Sequence, residues 1–333
     1  MRIIEGHRID SEAWADLVKR SQVATWFQTK EAFTFFDSLS FMEAFAIGVE
    51  SRGQLKGLVV GYIQRDGGRL KRFFSRRAII LGGPLLSTNI TKDEFDFLVK
   101  SIRDNLRKKV IFIEIRNFND YSPWQSVYSQ LGFAYESHYN ILVDTSSMEV
   151  ITEKLDRNRR RNIKKALDNG VVIDENPNME DLKHYYLMLN KLYSTKVKTP
   201  LFPYEFFERL KLCKSSLFMM AKNPNGELIG GLVCVVFDKQ TVYAWMACGD
   251  DVNNRVLSPS VIVNYAGICY AAKHGIPRFD FMGAGKPDDG GYGVRDFKLK
   301  FGGELVEFGR NIYVCNRVFF NVGKLGVKII KKL

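Results

Sequence analysis

Apolar and polar positions along the first half of the chain follow two periods. Runs or alternations of apolar residues predict strands, and apolar residues three and four apart predict helices. The first half begins with two predicted helices and continues with three strands, a helix and two further strands. These segments are Ser11–Lys19, Lys30–Leu39, Met42–Glu50, Leu55–Gln64, Leu70–Leu81, Lys92–Arg107, Val110–Ile115 and His138–Val143.

The second half of the chain repeats this plan. Its predicted strands and helix are Leu217–Ala221, Leu228–Phe237, Thr241–Met246, Ser260–Lys273 (the helix) and Arg278–Met282. Gly231 follows Gly57 by nearly the same number of residues as Asp280 follows Glu114, as corresponding positions of a repeat should. A half-chain repeat of this kind predicts two similar α/β domains side by side, with mixed sheets flanked by helices and a cleft for a ligand between them. We expect domains over residues 1–147 and 148–314, followed by a tail over 315–333.

Composition narrows the class of protein. The chain has 333 residues, of which 46% are hydrophobic, so it can bury an ordinary core. Its net charge of +12 and pI of about 9.4 favour polyanionic partners, namely RNA, phosphorylated substrates or an anionic membrane surface. The five cysteines form no CxxC pair, which predicts buried reduced thiols.

The same composition bears on location and metal binding. The N-terminal residues contain no apolar run of signal-peptide length, and the longest apolar runs fall well short of a membrane span. We therefore expect a cytoplasmic protein. The four histidines are scattered and form no metal-ligand pattern.

A strongly basic amphipathic segment, Thr152 to Asn169, lies between the two copies and is predicted to form one helix that ends before Gly170. Six basic residues fall within nine positions of it, namely Arg157, Arg159, Arg160, Arg161, Lys164 and Lys165. Such a charge run can be a solvated surface, but its density favours phosphate binding, with Arg157, Arg161 and Lys164 as candidate contacts. Farther on, Lys196 and Lys198 lie in a loop that the following prolines keep out of a helix. They are anion contacts or solvated lysines.

The segment from Arg278 to Gly303 concentrates the candidate chemistry. A short strand runs into a glycine-rich loop, which ends at Phe297 and Lys298, and apolar Leu299 and Phe301 then alternate as in a strand. A lysine placed after a glycine-rich loop at a strand end is typical of catalytic sites in α/β enzymes, although a solvated surface lysine is the alternative. Further candidate substrate contacts are Tyr243, Asp280 and Arg295.

The C-terminal segment, Arg317 to Leu333, combines apolar residues at helical spacing with several lysines. We expect a basic amphipathic helix that packs on the first domain. Contact of this helix with the inner face of an anionic membrane is an alternative, compatible with the first if its lysines point outward.

Four segments together resemble the FemAB/FemX group of aminoacyltransferases. They read RNRRRNIKKALDNGV, PYEFFERL, GELIGGLVCVVFDKQTVYAWMACGDD and FDFMGAGKPDDGGYGVRDFKLKFGG, in that order along the chain. The resemblance covers nearly the whole chain and is strongest from Thr152 to Gly303.

This resemblance implies two tandem GNAT-like domains and a reaction. Members of the group move an amino acid from aminoacyl-tRNA to an amine of a UDP-linked or lipid-linked peptidoglycan precursor, without a metal or organic cofactor. The lysine of the Phe-Lys pair, here Lys298 after Phe297, is then the group that stabilises the tetrahedral oxyanion. A positioned ammonium lowers the barrier to amine attack on an ester because it meets the negative charge that develops on oxygen.

The first half departs from the group's pattern. Some relatives offer a lysine to the substrate diphosphate near the Phe27-Gln28 pair, and this chain has phenylalanine at the matching position. Some relatives also have an aspartate after the strand that ends at Ile115, where this chain reads Arg116-Asn117-Phe118. Two alternatives also stay open: an acyl-CoA-dependent GNAT N-acyltransferase, and a non-catalytic module that binds RNA or anionic lipid. A CoA-dependent enzyme is expected to have a glycine-rich loop that binds pyrophosphate at the start of a helix, and neither half of the chain shows one clearly.

Overall fold

A computed structural model describes residues 1–64, 76–288 and 293–332. The chain forms two compact units. Unit 1 consists of Met1–His138 together with Phe308–Leu333, and unit 2 consists of Tyr139–Glu307. The C-terminal segment is thus grouped with the N-terminal half of the chain.

Unit 1 is built on a mixed sheet. Its strands are β1 (Arg2–Glu5), β2 (Met42–Ser51), β3 (Gln54–Gln64), β4 (Arg77–Gly82), β5 (Leu85–Leu86), β6 (Phe112–Asn117), β7 (Ala134–Glu136) and β15 (Arg310–Val314). They are arranged in the order β1-β2-β3-β4-β6-β15-β7, with β5 paired to β3. All pairs are antiparallel except β4 and β6, which run parallel from Arg77↔Phe112 to Gly82↔Asn117. A parallel pair needs a crossover, and a long helix supplies it.

Helices flank the unit 1 sheet, and three of them begin at a side-chain cap. They span Ser11–Arg20, Lys30–Asp37, Lys92–Leu106, Gln125–Gln130 and Arg317–Lys332. The crossover helix begins with a capping box, in which Thr91 and Glu94 satisfy each other's backbone amides. Its apolar stripe, which includes Phe95, Leu98 and Val99, is fully buried against the sheet.

Unit 2 repeats this architecture on a second mixed sheet. Its strands are β8 (Tyr139–Asp144), β9 (Val172–Asp174), β10 (Ser216–Lys222), β11 (Leu228–Phe237), β12 (Thr241–Gly249), β13 (Arg278–Gly283) and β14 (Glu304–Glu307), in the order β14-β8-β13-β12-β11-β10-β9. Its helices are Met148–Lys154, Arg157–Asp168, Met179–Leu192, Tyr204–Lys211, Pro259–Lys273 and Gly293–Leu299. The order β2-β3-β4-β6 in unit 1 corresponds to β10-β11-β12-β13 here. The predicted repeat is therefore confirmed.

The division between the units falls earlier than residue 147. Strand β8, which the sequence analysis assigned to the first half, pairs with β13 in the unit 2 sheet. In exchange, β15 from the far end of the chain pairs with β6 in the unit 1 sheet. Strand pairing between distant segments leaves no trace in local periodicity, so this exchange was not predicted.

Two predicted elements differ from the structure. The basic segment is two helices, because Leu155 is extended and the Asp156 side chain caps a new helix at Arg157–Asp168. The residues around Lys298 form the helix Gly293–Leu299 and not a strand. Phe297 and Phe301 lie one helical turn apart, with ring centroids 5.5 Å apart, so the alternating apolar pattern was misleading.

Two further predictions need adjustment. Of the predicted strand Leu70–Leu81, residues 70–75 lie outside the described residues, and the described strand is β4 (Arg77–Gly82). The basic loop that was expected to avoid helix instead forms a π-helical turn, Tyr193–Val197, which continues the preceding helix before Pro200. All five cysteines are free thiols. No helix in residues 1–64, 76–288 or 293–332 is both long and apolar enough to cross a membrane.

A buried ion cluster lies on β6 and β15 of unit 1. Glu114, only 6% exposed, accepts from Arg116 Nη2 at 3.0 Å and from Arg310 Nη1 at 2.5 Å. Burial alone would raise the pKa of Glu114, but the two guanidinium charges and their hydrogen bonds hold it at about 2. Removing the Glu114 charge should strongly destabilise the folded protein, because both buried guanidinium groups would then lack a compensating charge.

We predict that Glu114→Gln lowers the free energy of unfolding by about 3 kcal/mol or more at neutral pH. The pKa of Glu114 is depressed from 4.5 to about 2, so its contribution is complete above pH 4.5 and is lost as pH falls toward 2. Unfolding in guanidinium chloride, measured at neutral and acidic pH, should show that the difference in unfolding free energy between variant and wild type becomes smaller in acid. Glu50→Gln, which removes an exposed pair with Arg2, is the control and should lower stability much less. Equal losses for the two variants would contradict the prediction.

Candidate active site

A β-bulge interrupts the end of β13. The register of β13 against β8 shifts between Asp280 and Gly283, and Met282 between them has a φ of 55°. A left-handed backbone costs a non-glycine residue of order 1–3 kcal/mol and persists only where the surroundings impose it. Here the Met282 amide donates to Asp280 Oδ1 at 2.6 Å. Bulges are frequent beside active sites because they redirect backbone and side chains.

The carbonyl groups on either side of Met282 hold the side chain of Lys298. Lys298 Nζ donates to Phe281 O at 2.8 Å and to Gly283 O at 2.7 Å. An ammonium has three N–H donors, and the third has no partner among the described residues. The bulge and the helix Gly293–Leu299 therefore fix a cation in place with one donor to spare.

A buried carboxylate complements this cation. Asp280 is 1% exposed and accepts from Asn140 Nδ2 at 3.2 and 3.3 Å. Burial raises the pKa of Asp280 to about 6, although the Met282 amide, Asn140 and the Lys298 charge act in the opposite direction. Burial likewise lowers the pKa of Lys298 to about 8, against the attraction of Asp280. Near neutral pH both groups are mostly charged, and both titrate close to it.

The parallel pairing of β12 and β13 ends at this site. Only Val242↔Phe279 and Tyr243↔Asp280 are paired, although β12 continues to Gly249 and β13 to Gly283. Tyr243 is buried beside Asp280, and burial together with the Asp280 charge raises the pKa of its hydroxyl, so it stays neutral. The strands therefore separate directly after the Asp280 carboxylate, at the level of the Lys298 ammonium.

Arg159 connects the basic helix to the helix of Lys298. Its guanidinium carbon lies 4.3 Å from the ring centroid of Phe297 and 4.7 Å from that of Phe301. Its Nη2 donates to Phe297 O at 3.1 Å. Burial lowers the pKa of Arg159, while Asp156 and Asp251 raise it. Cation–π stacking and this hydrogen bond therefore fix the backbone next to Lys298.

Sequence reasoning missed Arg159 and Asn140 as members of the site. Arg159 falls on the apolar face of its helix, in helical spacing with buried Ile163 and Ala166. A charged residue at an apolar position is the signal that would have found it. Asn140 is a polar residue inside an apolar strand and carries the same signal.

The predicted site residues fall into three groups by position. Phe297, Lys298, Asp280 and Tyr243 come together at the end of β13. Arg295 lies near them and donates from Nε to Ala284 O at 2.9 Å and from Nη2 to Lys286 O, with its guanidinium 5.0 Å from the Tyr139 ring. The remaining basic candidates are on the surface of unit 2. Arg157, Arg161, Lys164 and Lys196 are exposed, and Lys198 is half-buried.

The described part of the chain contains no candidate metal site. No group of three or more histidine, cysteine, aspartate or glutamate side chains there is arranged to hold a metal ion.

Comparisons with known proteins identify the fold. Residues 153–298 match the family model described as an acetyltransferase (GNAT) domain. The crystal structure of FemX matches with a TM-score of 0.72 at 14% identity, over 97% of this chain and 99% of that chain. No curated protein matches the chain by sequence.

Two other solved structures are similar over nearly their full length. One is the C-terminal domain of a putative lysylphosphatidylglycerol synthetase from Agrobacterium fabrum, with a TM-score of 0.60 at 14% identity, over 96% of this chain and 95% of that chain. The other is a tandem GNAT protein from the clavulanic acid biosynthesis pathway, with a TM-score of 0.60 at 10% identity, over 95% and 98%.

The chain therefore has the tandem GNAT-type fold, and the family match across residues 153–298 supports an acyltransferase. Within that class, the fold of FemX extends over almost the whole of both chains.

We predict that the pKa of Lys298 lies well below that of an ordinary lysine. Labelling with an amine-specific reagent across pH, read by mass spectrometry, should give a midpoint near 8 for Lys298, against about 10.4 for exposed lysines. Asp280→Asn should lower the midpoint further, because the attraction of the carboxylate raises the pKa of Lys298. Asp296→Asn, an exposed carboxylate on the same helix, is the matched control and should leave it unchanged. A midpoint near 10, or one that ignores Asp280, would contradict this electrostatic account.

Proposed function

We propose that this protein is a non-ribosomal aminoacyltransferase that moves an amino acid from aminoacyl-tRNA to an amine of a peptidoglycan precursor. The observation that carries the proposal is the Lys298 ammonium, held by Phe281 O and Gly283 O with one N–H left over. The donor and acceptor classes come from the resemblance to the FemAB/FemX group, and the site chemistry below is compatible with them.

The reaction needs one group that Lys298 supplies. The acceptor amine attacks the ester carbonyl carbon, and the carbonyl electrons move onto oxygen to form a tetrahedral intermediate. The remaining N–H of Lys298 donates to that oxyanion. When the carbonyl re-forms, the ribose oxygen of the tRNA leaves and takes up the proton that the amine gives up. The bulge contributes because a lysine already fixed by two carbonyls need not reorganise as the charge develops.

The basic helix supplies a surface for the phosphates of the donor or acceptor. Arg157, Arg161 and Lys164 are exposed on it, and Arg159 on its inner side bonds to the backbone of Phe297. Exposed arginines and lysines bind phosphates by charge and, for arginine, by paired hydrogen bonds. The helix that carries these exposed residues therefore contacts the helix that carries Lys298 through Arg159.

An acyl-CoA donor is the second candidate, since the family model that matches is a GNAT acetyltransferase. The start of the helix Pro259–Lys273, which follows β12, argues against it. Helix N-termini bind pyrophosphate through free backbone amides. Here the Ser260 amide already donates to Asp251 Oδ1 at 3.1 Å. A carboxylate in that position would repel a pyrophosphate.

A non-catalytic module that binds RNA or anionic lipid fits the site less well. A scaffold that only binds has no use for a lysine with a pKa of about 8 beside a carboxylate with a pKa of about 6. Perturbed pairs of this kind cluster at catalytic sites. The likeness to FemX and to a lysylphosphatidylglycerol synthetase supports aminoacyl transfer to a cell-envelope acceptor.

A paired-donor assay tests the proposal. Aminoacyl-tRNA and acetyl-CoA are offered separately with UDP-linked and lipid-linked muropeptides, and the product is identified by mass spectrometry. We expect transfer from aminoacyl-tRNA, and a loss of roughly a hundred- to a thousandfold in turnover for Lys298→Ala with precursor binding retained, because the lysine acts on the transition state. Exposed Lys300→Ala on the neighbouring turn is the control and should keep full turnover. Consumption of acetyl-CoA alone would overturn the donor assignment, and full activity of Lys298→Ala would remove its catalytic role.

A further inference from the structure

A cationic cavity lies in unit 1, away from the candidate active site. It has a volume of about 210 Å³. Its lining includes four basic side chains and two residues of the C-terminal segment: Arg76, Arg107, Lys108, Lys109, Asn316 and Phe319. The described residues that line it include no carboxylate. Two exposed ion pairs lie at its edge, with Asp104 3.7 Å from Arg107 and Glu43 3.9 Å from Lys109, and exposed pairs of this kind contribute little.

Backbone hydrogen bonds hold the walls of this cavity together. The Ile111 amide donates to Arg76 O at 2.9 Å, and Ile111 O accepts from the amides of Cys315 and Asn316 at 2.9 and 3.0 Å. The first turn of the C-terminal helix is anchored as well, since the rings of Phe112 and Phe320 are 5.2 Å apart. The cavity is therefore formed by the fold and does not depend on the position of flexible side chains alone.

The helix that closes the cavity also exposes apolar side chains. Val318 is 70% exposed and Val322 is 55% exposed. They lie one turn apart on the same face of the helix. Phe319, between them in sequence, lies on the adjoining side of the helix and lines the cavity. The C-terminal helix thus carries two exposed valines on the same turn as Phe319, which lines the cavity.

We propose that the cationic cavity and the Val318–Val322 face together bind an anionic phospholipid surface. The cavity takes the phosphodiester headgroup of an anionic lipid, and the two valines enter the boundary between headgroups and acyl chains. Amphipathic helices bind membranes by adding apolar insertion to attraction between basic residues and anionic lipids, and either contribution alone is weak. This inference stands independently of the transferase activity proposed above.

The exposed valines favour a lipid over RNA as the occupant. RNA-binding surfaces combine cations with aromatic side chains on which bases stack, or with polar groups that reach base edges. Here the exposed groups beside the cations are aliphatic, and the aromatic residue Phe319 faces inward. Aliphatic side chains gain free energy by leaving water, which an acyl-chain boundary provides and a phosphate backbone does not.

Sedimentation of the full-length protein with vesicles tests this proposal. Vesicles of equal parts phosphatidylcholine and phosphatidylglycerol are compared with vesicles of phosphatidylcholine alone. The charge variant is Arg107→Glu with Lys108→Glu, and the apolar variant is Val318→Ser with Val322→Ser. Matched controls in unit 2 are Lys183→Glu with Lys214→Glu, which changes net charge equally, and Val252→Ser, at a valine that is 66% exposed.

We expect binding only to the anionic vesicles. The charge variant should weaken it by at least roughly tenfold, because each basic residue near such a surface contributes roughly fivefold. The valine variant should also weaken it, and both controls should bind as wild type does. The proposal is overturned if the wild type does not sediment, or if the lysine control weakens binding as much as the cavity variant, since attraction would then follow net charge alone. Loss of tRNA binding in the cavity variant, with vesicle binding intact, would assign the surface to RNA instead.

Discussion

The hydrogen bonds from Lys298 Nζ to the carbonyls of Phe281 and Gly283 are the interaction on which the candidate active site depends. Phe281 and Gly283 flank Met282, where the register of β13 against β8 shifts, and β12 is no longer paired with β13 beyond Asp280. The bulge is held by the Asp280 carboxylate, which binds the Met282 amide, and Asp280 is held in turn by Asn140. The backbone bulge, the buried Asp280 carboxylate and the Lys298 ammonium thus form one connected group of hydrogen bonds.

The two units use the same frame with opposite outcomes. Glu114 on β6 and Asp280 on β13 occupy corresponding strands, and both carboxylates are buried. In unit 1, two guanidiniums hold the pKa of Glu114 low, and β4 and β6 stay paired along their length. In unit 2, burial raises the pKa of Asp280, and β12 and β13 separate after Tyr243↔Asp280. We infer that the first arrangement stabilises its sheet, whereas the second leaves an opening beside titratable groups.

Local periodicity explains how much of this was predictable. The tandem plan followed from strands and helices whose apolar spacing is regular, such as the crossover helix Lys92–Leu106. The alternation of Phe297, Leu299 and Phe301 predicts a strand, whereas the four-residue spacing of the two phenylalanines also fits a helix. Local sequence could not decide between them, and tertiary packing favours the helix. The break at Asp156 depended on a side-chain cap, and the exchange of β8 and β15 on pairing across long separations in sequence. Lys298 was singled out by its place after a glycine-rich loop and given a role by the family resemblance, but the neighbouring Asn140 and Arg159 required the fold.

The central claim is that the charged form of Lys298 stabilises the transition state, and one measurement tests it most directly. Single-turnover rates of aminoacyl transfer are measured across pH for the wild type and for Lys298→Arg, whose guanidinium stays charged throughout. Taking the ratio of the two rates cancels the titration of the acceptor amine. Because the pKa of Lys298 is about 8, the account predicts that the ratio of wild type to variant falls as pH rises through that value. A ratio that stays flat, or that rises through the same range as it would for a lysine acting as a general base, would contradict it.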